Sequence, residues 1–250
     1  IYLQKIYRRG LGPTFIMRRY IVITFLAVLL AAASVALLRK GKGMENNSAW
    51  NPERLSELYD QMVANYESGE NWKNIPGAKE ILSIMKEVAP ERDEEINPAV
   101  RMLICERIIA GDLIDVRDTP RLYLEYLEYW MECRDMPKTE DDLKDVNLEE
   151  DFQETAEEMS QKIRTMLSGT KEAKAVWDGL GMLKYDPVQL TPEWEENIYE
   201  IELECERRLK DEPRGMGFCH SYWHTKKAVA ASCGIEWISP SGMNPRVMFD

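Results

Sequence analysis

The first 43 residues contain no Asp or Glu and neither of the protein's two histidines, yet they hold eight Lys and Arg. Fourteen Gly and twelve Pro in 250 residues leave little room for low-complexity linkers. Hydrophobic residues at 44% and charged residues at 30% lie near ordinary globular usage, which excludes disorder throughout, collagen and a multi-spanning membrane protein. Signature motifs are scarce as well. There is no Walker loop and no His-Glu-x-x-His, and no two cysteines stand two to four residues apart as in a zinc ribbon. Gly215-Met-Gly217 lacks the third glycine and the preceding strand of a dinucleotide site. Ser83-Ile-Met-Lys86 and Ser168-Gly-Thr-Lys171 fit a Ser-x-x-Lys pattern whose companion motifs are missing. A net charge of −12 repels phosphate backbones and disfavours a nucleic-acid-binding role.

Two compositions are joined in one chain. Residues 1–43 form a basic segment, and residues 44–250 form an acidic domain with 44 acids against 24 bases. From Ile21 to Leu38 the chain reads IVITFLAVLLAAASVALL, without a charge, and Arg18, Arg19, Arg39 and Lys40 bracket the run. Eighteen helical residues nearly span a hydrocarbon core about 30 Å thick, and the bracketing bases suit its two interfaces. The run is therefore expected to be one transmembrane helix, giving a single-pass membrane protein. Two other readings are open: a signal peptide starting at Met17, and a chain whose natural start is Met44, which would be cytoplasmic. Five bases precede the run and three follow it, so the basic-side rule places the acidic domain on the extracytoplasmic side.

The acidic domain is expected to be all-α, an irregular bundle of about eight short helices. Asn51-Pro52, Asn97-Pro98, Thr119-Pro120 and Thr191-Pro192 each stand ahead of an apolar-periodic stretch. A capping side chain accepts an orphan N–H, and Pro at the first helical position loses no bond. Leu55, Leu58, Tyr59, Met62, Val63 and Tyr66 fall at helical spacing, as do Leu122, Tyr126, Tyr129, Trp130 and Cys133. Leu148 to Met166 and Trp194 to Leu209 carry two further stripes. Shorter stripes run up to Gly111 and Gly181, where glycine suits a left-handed terminating residue. Apolar alternation with hairpin turns is missing, so strands have little support beyond an extended Ile235 to Ile238. A subdivision is expected near residues 135–147, around Pro137 and an acidic, turn-rich segment. The ten acids between Glu140 and Glu158 do not match a calcium loop and read as a solvated helix face. Tyr123, Tyr126, Tyr129 and Trp130 read as core rather than as an aromatic platform.

Reactive groups concentrate in Arg214–His224, RGMGFCHSYWH. His220 and His224 are four apart, which puts two imidazoles on one helix face within reach of a single ion. With Cys219 and Cys233 they form a candidate metal site for Zn²⁺, a cation that takes nitrogen and thiolate ligands. The same residues could be read as a thiol–imidazole catalytic pair, as a Cys219–Cys233 disulfide in an oxidising compartment, or as a packed cluster with Phe218, Tyr222, Trp223 and Trp237. Cys105, Cys133 and Cys205 lie on apolar stripes and read as packing residues. The tail from Ser239 to Asp250 reads as a turn-rich arm that packs Met243, Val247 and Phe249 on the domain. The function expected from all this is a membrane-anchored, non-catalytic protein-interaction or binding module with no resident cofactor. The alternative is a metal-binding protein or metalloenzyme using the C-terminal Cys/His cluster.

Overall fold

The computed structural model describes residues 52–87, 97–139, 142, 146, 148, 149, 151–179 and 183–249. Among the described residues there are nine α-helices and no strand: α1 (Pro52–Glu67), α2 (Ile75–Glu87), α3 (Pro98–Ala110), α4 (Pro120–Asp135), α5 (Phe152–Leu167), α6 (Lys171–Gly179), α7 (Pro192–Arg208), α8 (Phe218–Ser232) and α9 (Pro240–Met243). Two 3-10 turns, Asn71–Asn74 and Pro187–Leu190, complete the order. The all-helical expectation therefore holds, and Ile235 to Ile238 belongs to no strand. No helix among the described residues is long and apolar enough to cross a membrane. The Ile21 to Leu38 run lies outside the described residues.

The Asn-Pro and Thr-Pro signals mark helix starts as expected, but they do not all work by capping. Asn97 Oδ1 accepts from Val100 N at 3.0 Å, and Thr191 Oγ1 accepts from Trp194 N at 3.2 Å. α4 does begin at Pro120, yet the Thr119 hydroxyl donates to the Asp115 carbonyl. Its first-turn N–H groups are taken by Glu195 instead: Arg121 N donates to Oε2 at 3.0 Å and Leu122 N to Oε1 at 2.8 Å. A buried anion at a helix N-terminus satisfies orphan donors and meets the positive end of the dipole. Asn51 and Gly181 lie outside the described residues. Gly111 is not the left-handed residue after α3, since its φ is −76°; Asp112, at φ 53°, takes that conformation. What excludes a side chain at Gly111 is space, because a Cβ there would fall 2.5 Å from the Arg107 carbonyl oxygen.

By packing, the chain divides into two compact units: one holds residues up to Ile114 with Glu125–Ala156, the other Asp115–Leu124 with Glu157–Asp250. The divisions fall between Ile114 and Asp115, inside α4 and inside α5. The first unit is built on α3, which is buried along nearly its whole length. Leu55, Tyr59 and Met62 of α1, Ile81, Leu82 and Met85 of α2, and Tyr126, Leu127, Trp130 and Cys133 of α4 fill the same core. Of the α4 aromatics, Tyr126, Tyr129 and Trp130 are core, as expected, whereas Tyr123 is only half-buried, and the Tyr126 and Tyr129 hydroxyls close backbone carbonyls of α2. Tyr126 donates to Ala78 O at 2.6 Å, and Tyr129 donates to Met85 O at 2.8 Å. Asn74, nearly fully buried, donates to Met62 O and Leu113 O and accepts from Asn65 Nδ2, which closes the loop after α3 on α1.

Glu106 is the exception in this unit. Its carboxyl is completely buried; Oε1 accepts from Glu149 N at 3.0 Å, while Oε2 has no hydrogen-bond partner. Burial pushes the carboxyl up from 4.5 to about 7, against the opposing Glu149 N–H and Arg107, with the Glu149 charge adding to the rise. A raised carboxyl is protonated more readily in the folded chain than in the unfolded one. The contribution of Glu106 to folding stability is therefore fully present below pH 4.5, is lost as pH rises through about 7, and is level above that. Glu106→Gln removes the ionisation, so the variant is expected to gain on the parent by on the order of 2 kcal/mol at pH 8 and by little at pH 4.5. Urea denaturation at the two pH values measures this, and a gain independent of pH would contradict it.

Candidate functional site

In the second unit α7 packs against α8. α7 starts at the Thr191 cap and buries Trp194, Ile198, Ile201 and Cys205, an i, i+4, i+7, i+11 stripe. α8 has a different start. Gly217 precedes it at φ 83°, a left-handed conformation that glycine adopts without a steric cost, and no side chain caps the helix. The inward face of α8 is Trp223, Lys226, Val229 and Ala230. The apolar rule is broken there by one residue, because Lys226 enters the core.

Lys226 is buried, and its Nζ donates to Glu202 Oε1 at 2.5 Å; Glu202 is buried too. Tyr222, one turn before Lys226, donates its hydroxyl to the same carboxylate. Around the ammonium lie Trp194 at 5.1 Å, Trp237 at 5.3 Å and Tyr222 at 5.8 Å, measured to the ring centroids. Trp194 and Trp237 themselves stack, with centroids 6.0 Å apart and planes at 24°. Aromatic faces attract a cation at these distances, and a dry box strengthens the effect. Burial alone would lower the Lys226 pKa, but Glu202 and the half-buried Asp118 more than offset it and raise it above 10.5. Lys226 is thus a fixed cation and has no free amine for nucleophilic work. Burial and the Glu202 charge push the Tyr222 phenol well above its usual value, so it stays a donor. Asp118 is pushed up to about 7 by burial, opposed by Lys226 and Arg117 and reinforced by Asp115 and Glu202.

The same unit holds its C-terminal arm through polar backbone matching. Asp186 Oδ1 caps the Pro187–Leu190 turn by accepting from Val188 N, and its Oδ2 accepts from Ile238 N at 2.6 Å. Asn244 exchanges two bonds with the Lys184 backbone, accepting at Oδ1 and donating from Nδ2. Ser239 caps α9 by accepting from Gly242 N. Phe249 packs edge-on against Trp223 with centroids 5.0 Å apart. The arm therefore returns to the domain as expected, with Phe249 packed, but Val247 is exposed and Met248 is 95% exposed.

The residues singled out for metal or thiol chemistry do not converge as a set of four. Cys219, His220 and His224 all lie on α8, and Cys233 is the residue just past its end. The rise of the helix puts Cys233 about 13 Å along the axis from His224 and about 21 Å from Cys219. One ion cannot span the first gap, and a disulfide cannot span the second. None of the five cysteines, all among the described residues, is in a disulfide, and Cys105, Cys133 and Cys205 are buried as packing residues. Cys219 is half-buried and about 100° around the helix from His220. His220 and His224 do share an exposed face, as their spacing predicts. Among the described residues no group of three or more His, Cys, Asp or Glu could hold a metal ion.

Sequence reading overlooked the surface around this helix. Five large apolar side chains are exposed among the described residues: Leu203, Met216 (94% exposed), Ile238, Val247 and Met248. All five belong to the second unit. Four of them lie in residues 207–250, which carry seven Lys and Arg against four Asp and Glu in a domain that is otherwise strongly acidic. Arg214 stacks over Phe218 at 5.2 Å, beside the start of α8. The signal was legible as a local reversal of charge after Glu206.

The buried pair generates a stability prediction. Lys226→Met leaves Glu202 buried without its cation, and is expected to cost about 3–5 kcal/mol. Adding Glu202→Gln, which keeps an acceptor for Tyr222, is expected to restore a large part of that loss. Urea denaturation of the two single variants and the double variant closes the cycle; a double variant no more stable than Lys226→Met would contradict the pairing. No protein-family model, no curated protein and no solved structure matches this chain.

Proposed function

We propose that this chain is a membrane-anchored, non-catalytic binding module that docks an acidic protein segment bearing apolar side chains. The supporting observation is the exposure of Met216 just before α8 and of Met248 in the C-terminal arm, each two residues in sequence from an exposed arginine, Arg214 and Arg246, with the arm packed on α8 through Phe249 and Trp223. Exposed methionines on a polar surface are adaptable apolar contacts, and bases at the rim steer and orient an anionic partner. An isolated exposed Met needs no explanation, but exposure confined among the described residues to one unit, with four of the five side chains in its one basic stretch, does. Lys226, held as a cation in a dry aromatic box, supports a structural rather than a reactive role for the polar cluster beneath.

Peptide selection from a random library on the full chain tests the docking reading. Selected sequences are expected to combine Asp or Glu with Leu, Phe or Met, and to lose binding at least tenfold to Met216→Asp/Met248→Asp or Arg214→Glu/Arg246→Glu. Selection of peptides indifferent to both double variants would overturn it. The anchor is carried by the uncharged Ile21 to Leu38 run and its flanking bases. Expressed full chain is expected to stay with membranes after an alkaline carbonate wash, and recovery in the supernatant would reject the anchor.

A further inference from the structure

The outer face of α8 has an unused pair of ligands. Successive residues turn by about 100°, so His220, His224, Lys227 and Ala231 fall within a sector of about 60°. All four are exposed. Neither imidazole makes a hydrogen bond or an ion pair among the described residues, so their lone pairs are not committed to the fold. The edge of His220 meets Trp223 at 5.6 Å with planes at 89°, which restricts the first ring where it leaves the helix. α8 contains no acid, so no carboxylate of this helix competes for the imidazoles.

We propose that His220 and His224 form a two-imidazole surface site for one divalent transition cation of the zinc, copper and nickel class. Neutral imidazole suits these ions, and a helical i, i+4 spacing lets two rings close on one of them. Pre-positioning on a formed helix makes the second bond intramolecular, so the pair binds far more tightly than either ring alone. Two protein ligands leave the outer hemisphere of the ion open. Cys219 and Cys233 take no part, because one faces away from the pair and the other is a helix length removed. Lys227 shares the face and opposes the ion's charge, an electrostatic cost that its removal would relieve. This site is independent of the docking surface, since it needs only the imidazoles of α8.

Zinc titration of the full chain, purified without a histidine tag and in excess Mg²⁺ to occupy weak carboxylate sites, tests the proposal. One Zn²⁺ per chain is expected, with affinity falling at least about tenfold in either His220→Ala or His224→Ala. Lys227→Ala is expected to strengthen binding, and Cu²⁺ is expected to bind more tightly than Zn²⁺. Because both histidines are exposed, the variants are expected to keep the parent melting temperature without metal, while only the parent gains in melting temperature as Zn²⁺ is added. Zn²⁺ binding that survives in His220→Ala/His224→Ala, or no stoichiometric binding to the parent, would overturn it.

Discussion

A carboxylate taken out of water must be given donors, and in this acidic chain that requirement ties distant segments together. Among the described residues four buried acids each bind a segment far away in sequence. Glu106 accepts from Glu149 N, Asp186 from Ile238 N, Glu195 from Arg121 N and Leu122 N, and Glu202 from Lys226 and Tyr222. The separations run from 20 to 74 residues, so these contacts fix topology rather than local conformation. Apolar burial is non-directional and tolerates many arrangements, whereas a buried anion is satisfied in few. Buried carboxylates in this chain therefore select among the packings that the apolar stripes allow.

The four are not equally well served. Glu195 and Asp186 each bond with both oxygens, and both also complete the cap of a helix or 3-10 turn. Glu202 has a full cation, a phenol and three aromatic rings around its partner. Glu106 has one backbone N–H and one empty oxygen, and it is the acid whose carboxyl burial drives towards neutrality. Asp118 follows the same logic in the second unit, where two neighbouring acids work against Lys226 and Arg117. The rise of the Glu106 carboxyl thus goes with a shortage of donors, although it too holds a long-range tie through one oxygen.

The helices were legible because their signals are local. Proline after a capping residue marks a start whatever the rest of the chain does, and Asp186-Pro187 and Ser239-Pro240 carry the same signal for the 3-10 turn and α9, where it went unread. Function of the cap is less local than its spelling. At Thr119-Pro120 the start is correct, but the donors go to Glu195, 73 and 74 residues away. Which four acids are buried could not be read either, because 44 acids look alike until tertiary packing encloses some of them. The candidate site follows the same division. The shared face of His220 and His224 is a property of one helix and was readable from spacing. Bringing Cys233 to the same ion would need the chain to fold back after His224, whereas α8 continues to Ser232. Lys226 was hidden for the opposite reason: a lysine at an inward helical position looks like an exposed one next to Lys227 until the aromatic box is assembled.

The polarity of the second unit follows from where its acids are used. α7 contributes Glu195 and Glu202 inward, and Glu204 is clamped by Arg207 and Arg208, which hold its carboxyl down at about 2. α8 answers with one buried cation and no acid, so its outward face is left with imidazoles, Lys227 and small residues. The segment after it is docked by Asp186 and Asn244 through backbone groups and by Trp237 and Phe249 through their rings, which leaves Val247 and Met248 without a packing role. Val247 and Met248 are consequently exposed in an arm that is nevertheless fixed at Ile238 and at Asn244. A rigidly presented apolar side chain loses less entropy on binding than one on a loose tail. Docking of the arm at Ile238, Asn244 and Phe249 and exposure of Val247 and Met248 are therefore two sides of one arrangement, in which the fixed points hold the arm and the two exposed side chains remain for contact.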